Sequence, residues 1–236
     1  MSGTVRLRSF ALALVVLGAA ACGGSAQEIT TFDDVPTEIV IDTATGNIII
    51  NADVPIAGVQ IESDVSGTEI SSQLVDGVLT ISDDCGGDGC NVNYFIQMRG
   101  DLSVQVTTVS GSIAVSDING DVALVSETGA ITVNAVTGSA VVTTNEANII
   151  ATRMASALAE FRADIGNIDV TFDQPVEALV AVTNVGDVTA QLPDGSYAIE
   201  ATTENGSTDL TFESDPGSDK SVSLTTGDGD ITVYSR

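Results

Sequence analysis

Between Gly111 and Gly138 a glycine returns every nine residues, and a similar phrase follows it each time: "GSIAV", "GDVAL", "GAITV" and "GSAVV". This beat limits the fold more than any other feature of the chain. The second and fourth residues after the glycine are apolar in most copies, and strand side chains alternate, so both point to one side. The phrase recurs as "GNIII" at Gly46, "ANIIA" at Ala147, "GNIDV" at Gly166, "GDVTA" at Gly186, "GSTDL" at Gly206 and "GDITV" at Gly229. After Gly166 the spacing becomes 20, 20 and 23. The two spacings reconcile if one turn of chain takes roughly 18–22 residues and holds two strands. In the second half only alternate strands carry the phrase. Between them lie "VEALVAV" from Val176, "YAIEATT" from Tyr197 and "SVSLTT" from Ser221.

The expected fold is therefore all-β, a single parallel β-solenoid with two strands per coil. Its inward ladders are Ile48 and Ile50, Ile113 and Val115, Val122 and Leu124, Ile131 and Val133, continuing with Ile168 and Val170, Val188 and Ala190, Ile231 and Val233. Each glycine supplies the positive φ of a tight corner. The Asn, Asp or Ser beside it (Asn47, Ser112, Asp121, Asn167, Asp187, Asp230) is expected to hydrogen-bond locally in the turn. Thr pairs precede the glycines at Thr107–Thr108, Thr202–Thr203 and Thr225–Thr226. The stretch "TRMASALAEFRADIG", 152–166, fits less well, because Glu160 and Arg162 stand where neighbouring coils have Val180 and Val182. A strand in shifted register is expected there, with one short helix as the alternative. The chain stops at "ITVYSR" without a cap, so open end coils and pairing of their edges between copies are expected.

A core of this kind must come from many small branched side chains: the chain has no Trp, three Tyr and six Phe, but abundant Val and Ile. Seven basic residues oppose 33 acidic ones. Such a surface repels phosphate backbones and anionic headgroups, which argues against a nucleic-acid partner and favours a soluble, self-repelling β protein.

Residues 1–21 have the layout of a secretory signal: Arg6 and Arg8, an apolar run from Phe10 to Leu17, then small residues. Ala19, Ala20, Ala21 and Cys22, followed by "GGSAQ", resemble the lipobox of bacterial lipoproteins, with Ala19 where that group usually has Leu. The resemblance implies cleavage before Cys22, a lipid on its sulfur, a tether over residues 22–28 and a domain over 29–236. It also implies an exported protein held at the cell membrane or envelope on its extracytoplasmic side. Export makes a disulfide the default for Cys85 and Cys90, which flank a Gly-rich loop. Asp83, Asp84 and Asp88 around that loop are weak candidates for a hard cation such as calcium, without the ligand order of a dedicated calcium loop.

No cofactor is expected. The chain has no His, no "GxSxG" and no complete Walker loop. Its mature basic residues are Arg99, Arg153, Arg162, Lys220 and Arg236, none beside an evident Asp cluster as in polysaccharide-active β-helix enzymes. Catalysis is not expected.

Four stretches resemble the bacterial putative adhesin family, a domain group frequent in envelope lipoproteins. They are "VDGVLTI" from Val75, "DLSVQVTTVSGSIAVSDINGDVALVSETGAITV" from Asp101, "VGDVTAQLPDGSYAIEATTENG" from Val185 and the closing "TTGDGDITV". Met98–Arg99 departs from the Val-Pro usual there, and the Cys85–Cys90 loop is a local elaboration. The resemblance spans roughly residues 29–236 and implies the solenoid fold and, by analogy, adhesion. The expected function is a tethered surface that binds a protein, a glycan or another copy of itself, with outward spacers such as Ala114, Ala123 and Thr132 facing the partner. Calcium binding at the acidic corners is the alternative.

Overall fold

The computed structural model describes residues 14–17, 26–32, 34–53, 58–66, 68–85 and 90–236, with side chains from Ile29 onward. The N-terminal strands are β1 (Leu14–Leu17), β2 (Ala26–Phe32), β3 (Glu38–Thr45), β4 (Ile48–Asn51), β5 (Val59–Ser66), β6 (Ile70–Val75), β7 (Val78–Asp83) and β8 (Asn91–Gln97). The middle of the chain gives β9 (Ser103–Ser110), β10 (Ile113–Ile118), β11 (Val122–Thr128), β12 (Ile131–Val136), β13 (Ala140–Glu146), β14 (Ile149–Met154), β15 (Leu158–Ile165), β16 (Ile168–Phe172), β17 (Ala178–Val185) and β18 (Val188–Leu192). The last are β19 (Ala198–Asn205), β20 (Thr208–Leu210), β21 (Ser221–Asp228) and β22 (Ile231–Ser235). No helix occurs among the described residues. The strands form one sheet of 12 and one of 10, both mostly parallel.

From β9 to β18 the chain alternates between the two sheets, so one strand from each makes a rung. Ile113 pairs with Ile131, Ile131 with Ile149, Ile149 with Ile168, and Ile168 with Val188. These offsets of 18 to 20 residues are the turn length read from the glycine spacing. The inward rows are buried as expected: Ile113, Val115, Val122, Leu124, Ile131, Val133, Ile168 and Val170 are at most 2% exposed. Each such side chain contributes about 1.5–3 kcal/mol through its removal from water.

Within the 152–166 stretch no helix forms: β14 shifts by one residue against β16 between Ala151 and Met154, and β15 is strand in unshifted register. β15 pairs Glu160 with Val141 and Val180, and Arg162 with Thr143 and Val182. Glu160 and Arg162 face outward and pair with each other, while Ala159, Phe161 and Ala163 face inward. Phe161 fills more of the core than its neighbours, and Ala181 lies beside it in the next rung, so volume is conserved. The charged pair occupies the solvent face, where register is not at issue.

Asp117, Ala135 and Arg153 take left-handed φ of 61°, 53° and 54°, one per rung at the same place. One residue in this conformation resets the alternation, so Ile118, Val136 and Met154 also turn inward.

The two ends depart from a simple progression. In the larger sheet β22 lies between β18 and β20, and in the smaller sheet β21 lies between β17 and β19. The last strands therefore slot into the stack, and β19 with β20 forms the outer rung. The N-terminal end is permuted likewise: β3 lies between β7 and β9, and β4 between β8 and β10. Antiparallel strands continue beyond, β5 and β2 beside β8, and β6 beside β7. The glycine spacing is blind to this order, because every rung has the same corner chemistry.

The expectation of an uncapped C-terminal end is corrected. The edge strand β20 has only three residues and carries Asp209. Ser214 lies along β19, accepting from the Ile199 N–H at 2.9 Å and donating to its carbonyl at 3.1 Å. The Asp215 N–H donates to the Tyr197 carbonyl at 2.8 Å. Phe212 meets Tyr197 edge to face, with centroids 5.7 Å apart. A short, charged and covered edge disfavours pairing with another chain.

Candidate functional site

The corners hold the residues that sequence marked as candidate ligands, and they are used for stacking. Gly111 has φ +145°, and a Cβ there would stand 1.9 Å from the Gly46 carbonyl oxygen. Gly120, Gly129 and Gly138 lie outside the left-handed region. Yet a Cβ on them would come within 2.3, 1.9 and 2.2 Å of the carbonyl oxygens of Leu102, Gly111 and Gly120. Close approach of the next rung, rather than φ, requires glycine at these three.

The neighbouring Asn and Asp side chains bond to the next rung and not within their own turn. Asn47 Oδ1 accepts from the Ser112 N–H at 3.1 Å, and Asn148 Oδ1 from Asn167 at 2.8 Å. The ladder continues from Asn167 to Asp187 at 2.9 Å, Asp187 to Asp230 at 2.8 Å and Asp230 to Ser207 at 2.8 Å. In-register parallel stacking brings each corner amide about one strand spacing, ~4.8 Å, from the next corner. The second Thr of the two later pairs, and the single Thr183 at the equivalent position, turn inward and close the corner: Thr183, Thr226 and Thr203 donate to the carbonyls of Gly166, Gly186 and Gly229 at 2.9, 2.7 and 2.8 Å. Thr108, at the equivalent place, is buried with no partner for its hydroxyl.

Two carboxylates of this ladder set are held below the ordinary range. Asp121 is lowered by the Ser139 hydroxyl and then its N–H, and Asp230 by the Ser207 N–H and then its hydroxyl. A depressed folded-state pKa gives stability that is present above the ordinary carboxylate range and is lost as pH falls through the folded value. The double substitution Asp121→Asn with Asp230→Asn keeps an oxygen acceptor and removes the titration. Its melting temperature is expected to fall less steeply than that of the native chain below about pH 4. Equal slopes in thermal melts would refute the assignment.

Cys22 lies outside the described residues, as does Asp88. Cys85 and Cys90 form a disulfide, with Cα atoms 5.5 Å apart. Asp83 is occupied structurally: its oxygens accept from the Tyr94 hydroxyl at 2.8 Å and from the Cys85 N–H at 3.0 Å. Burial, then the Asp83 hydrogen bond and charge, hold the Tyr94 phenol far above its usual range. Among the described residues no group of three or more His, Cys, Asp and Glu is arranged to hold a metal ion. The four arginines that follow Cys22 are each engaged with carboxylates: Arg99 with Asp101, Arg153 with Asp117 at 3.6 Å, Arg162 with Glu160 and Arg236 with Asp173.

The two outer faces differ. On the smaller sheet, Asp42 of β3 and Glu160 with Arg162 of β15 project outward. On the larger sheet, Ala114 and Thr132 belong to an outward stripe that runs Phe95, Ile49, Ala114, Thr132, Ile150 across five adjacent strands. Phe95, Ile49 and Ile150 are 36%, 45% and 44% exposed. They were not among the residues expected to face a partner. The signal was present, since "NIII" and "NIIA" put Ile at an outward position where most other repeats have Ala or Thr.

No family model matches the chain, and no curated protein matches it significantly. Solved structures do. A putative adhesin from Bacteroides fragilis NCTC 9343 is 13% identical with a TM-score of 0.50, covering 88% of this chain and 97% of its own. A putative cell adhesion protein from Clostridium sporogenes ATCC 15579 is 11% identical with a TM-score of 0.40, covering 90% and 100%. A putative adhesin from Parabacteroides distasonis ATCC 8503 is 13% identical with a TM-score of 0.38, covering 90% and 98%. The Bacteroides fragilis likeness shows a shared fold, in agreement with the resemblance read from the repeats.

Proposed function

We propose that the chain is a lipid-tethered β-solenoid of the cell envelope that acts by binding, without catalysis, through its stacked outer faces. The observation that carries this reading is the continuous parallel stack from β9 to β18, with a single register shift between β14 and β16, which builds two extended outer surfaces on a buried apolar core. Extended surfaces of this kind suit binding. The Bacteroides fragilis protein of the same fold is described as a putative adhesin, which supports adhesion as the role. The sequence around Cys22 supports the tether, and the engagement of Asp83 by Tyr94 and Cys85 speaks against a cation site there.

The tether is tested by expressing the full chain in a bacterial host fed a clickable fatty acid. The native chain is expected to carry the label and stay with the membrane. Cys22→Ala is expected to lose the label and to lose membrane retention. An unlabelled native chain would overturn the anchor. For adhesion, cells displaying the chain are expected to attach to a biological surface more than cells displaying an unrelated lipoprotein.

A further inference from the structure

In a chain with 33 acidic residues, the larger sheet holds an outer window without a carboxylate. It covers the three outward positions of β8, β4, β10, β12 and β14. The stripe from Phe95 to Ile150 runs down its centre. The flanking positions are amides, hydroxyls and one Ala130, for example Asn51 beside Gln97 and Asn134 beside Thr152. Carboxylates resume at both ends, with Glu62 opposite Phe95 and Asp169 opposite Ile150. The charges at its side, Arg153 and Asp117, neutralise each other at 3.6 Å.

We infer that this window binds an uncharged polysaccharide strand lying along the stripe. The inference rests on the reading of the protein as a binding surface and names its ligand class. A cationic partner would gain more from the carboxylate-rich surfaces elsewhere, and an anionic one is repelled by the net charge of −26. The ligand suited to the window is neutral. Five strands at ~4.8 Å spacing and three outward positions ~7 Å apart give an area of about 400–500 Å². That is roughly half the ~800 Å² per partner of a stable protein interface, so a folded protein or a second copy is underserved. A sugar chain is narrow, has apolar C–H faces for Phe95 and the isoleucines, and has hydroxyls along its edges. Asn and Gln both donate and accept, which matches hydroxyl groups.

The full chain is tested by affinity electrophoresis and calorimetry against soluble starch, dextran and mannan, with polygalacturonate as the anionic control. At least one uncharged polymer is expected to retard the native chain, and polygalacturonate is not. Phe95→Ala with Ile49→Ser is expected to weaken binding about tenfold, the loss of ~1.4 kcal/mol of contact. Val141→Ser, on the outer face of the other sheet, is expected to change nothing. Because all three substitutions are outward, unchanged thermal midpoints check that folding is intact. Failure of every uncharged polymer, or equal binding by the double variant, overturns the inference. So does a dimer in light scattering that Ile49→Ser dissociates, which would make a second copy the occupant. If displaying cells still adhere while these polymers fail, the binding role stands and only the ligand class falls.

Discussion

A chain that ends at Lys220 is expected to lose the rung built by β19 and β20 as well as the strands removed. Among the described residues β19 pairs only with β21, and β20 only with β22. Deleting residues 221–236 therefore takes away every strand partner of the 198–210 segment. The deletion also removes four buried aliphatic side chains, Val222, Leu224, Ile231 and Val233. At about 1.5–3 kcal/mol each, their loss is on the order of 6–12 kcal/mol, comparable to the net stability of a whole domain. Stacked rungs touch only their neighbours, so the damage should stay local and not unfold the molecule. Hydrogen exchange is expected to show residues 198–220 unprotected and residues 103–170 still protected. The new end exposes the edges of β17 and β18 above Leu179, Ala181, Val188 and Ala190, and the truncated chain should associate through them. A synthetic peptide of residues 221–236 added in trans should restore protection to β19. Retained protection of β19 in the truncated chain, without peptide, would show that the slotted order is wrong.

That order is what the repeats leave open. The strands, their alternation, the turn length and most inward residues were legible, because a period of two and a fixed offset of about 18 are local properties of the sequence. Which rung neighbours which is not local. Gly229 stacks on Gly186, and Gly206 stacks on Gly229, yet the three carry near-identical corners. The available clue was Thr208, a polar residue in the inward column that the neighbouring rungs fill with Ile or Val. Corner chemistry was misread for a related reason. An Asn after a glycine bonds within its own turn in an isolated loop, but here the next rung brings its amide closer than the local one. The outward stripe of the larger sheet was half legible. Ala114 and Thr132 were read as outward from alternation alone, whereas Phe95 joins their stripe only through the insertion of β4 between β8 and β10.

The second large effect concerns that same junction. Gly111→Ala is expected to destabilise the chain by about 3–5 kcal/mol, through the left-handed φ of +145° and the clash of the new Cβ with a neighbouring backbone. The obstructing atoms belong to Gly46: its carbonyl oxygen at 1.9 Å, its carbonyl carbon at 2.6 Å and its nitrogen at 3.1 Å. None is the movable end of a side chain, so relief requires parting β4 from β10 or bending the corner. Either costs the bonds from Gly46 N–H to the Ser110 carbonyl and from Ile48 N–H to the Ser112 carbonyl, both 2.9 Å. A loss of this size lowers the melting temperature by roughly 10–15 °C in a chain of this length. Gly217→Ala is the control, since its Cβ would meet only the Asp215 carboxylate at 3.3 Å in the exposed 211–220 loop. That variant should melt within about a degree or two of the native chain. Ala147 already occupies the equivalent corner one rung beyond Gly129, outside the left-handed region. The column therefore accepts a methyl group at that one rung. If Gly111→Ala melts with Gly217→Ala, the rungs are not packed backbone against backbone at this corner, and the glycine beat is a matter of turn preference alone.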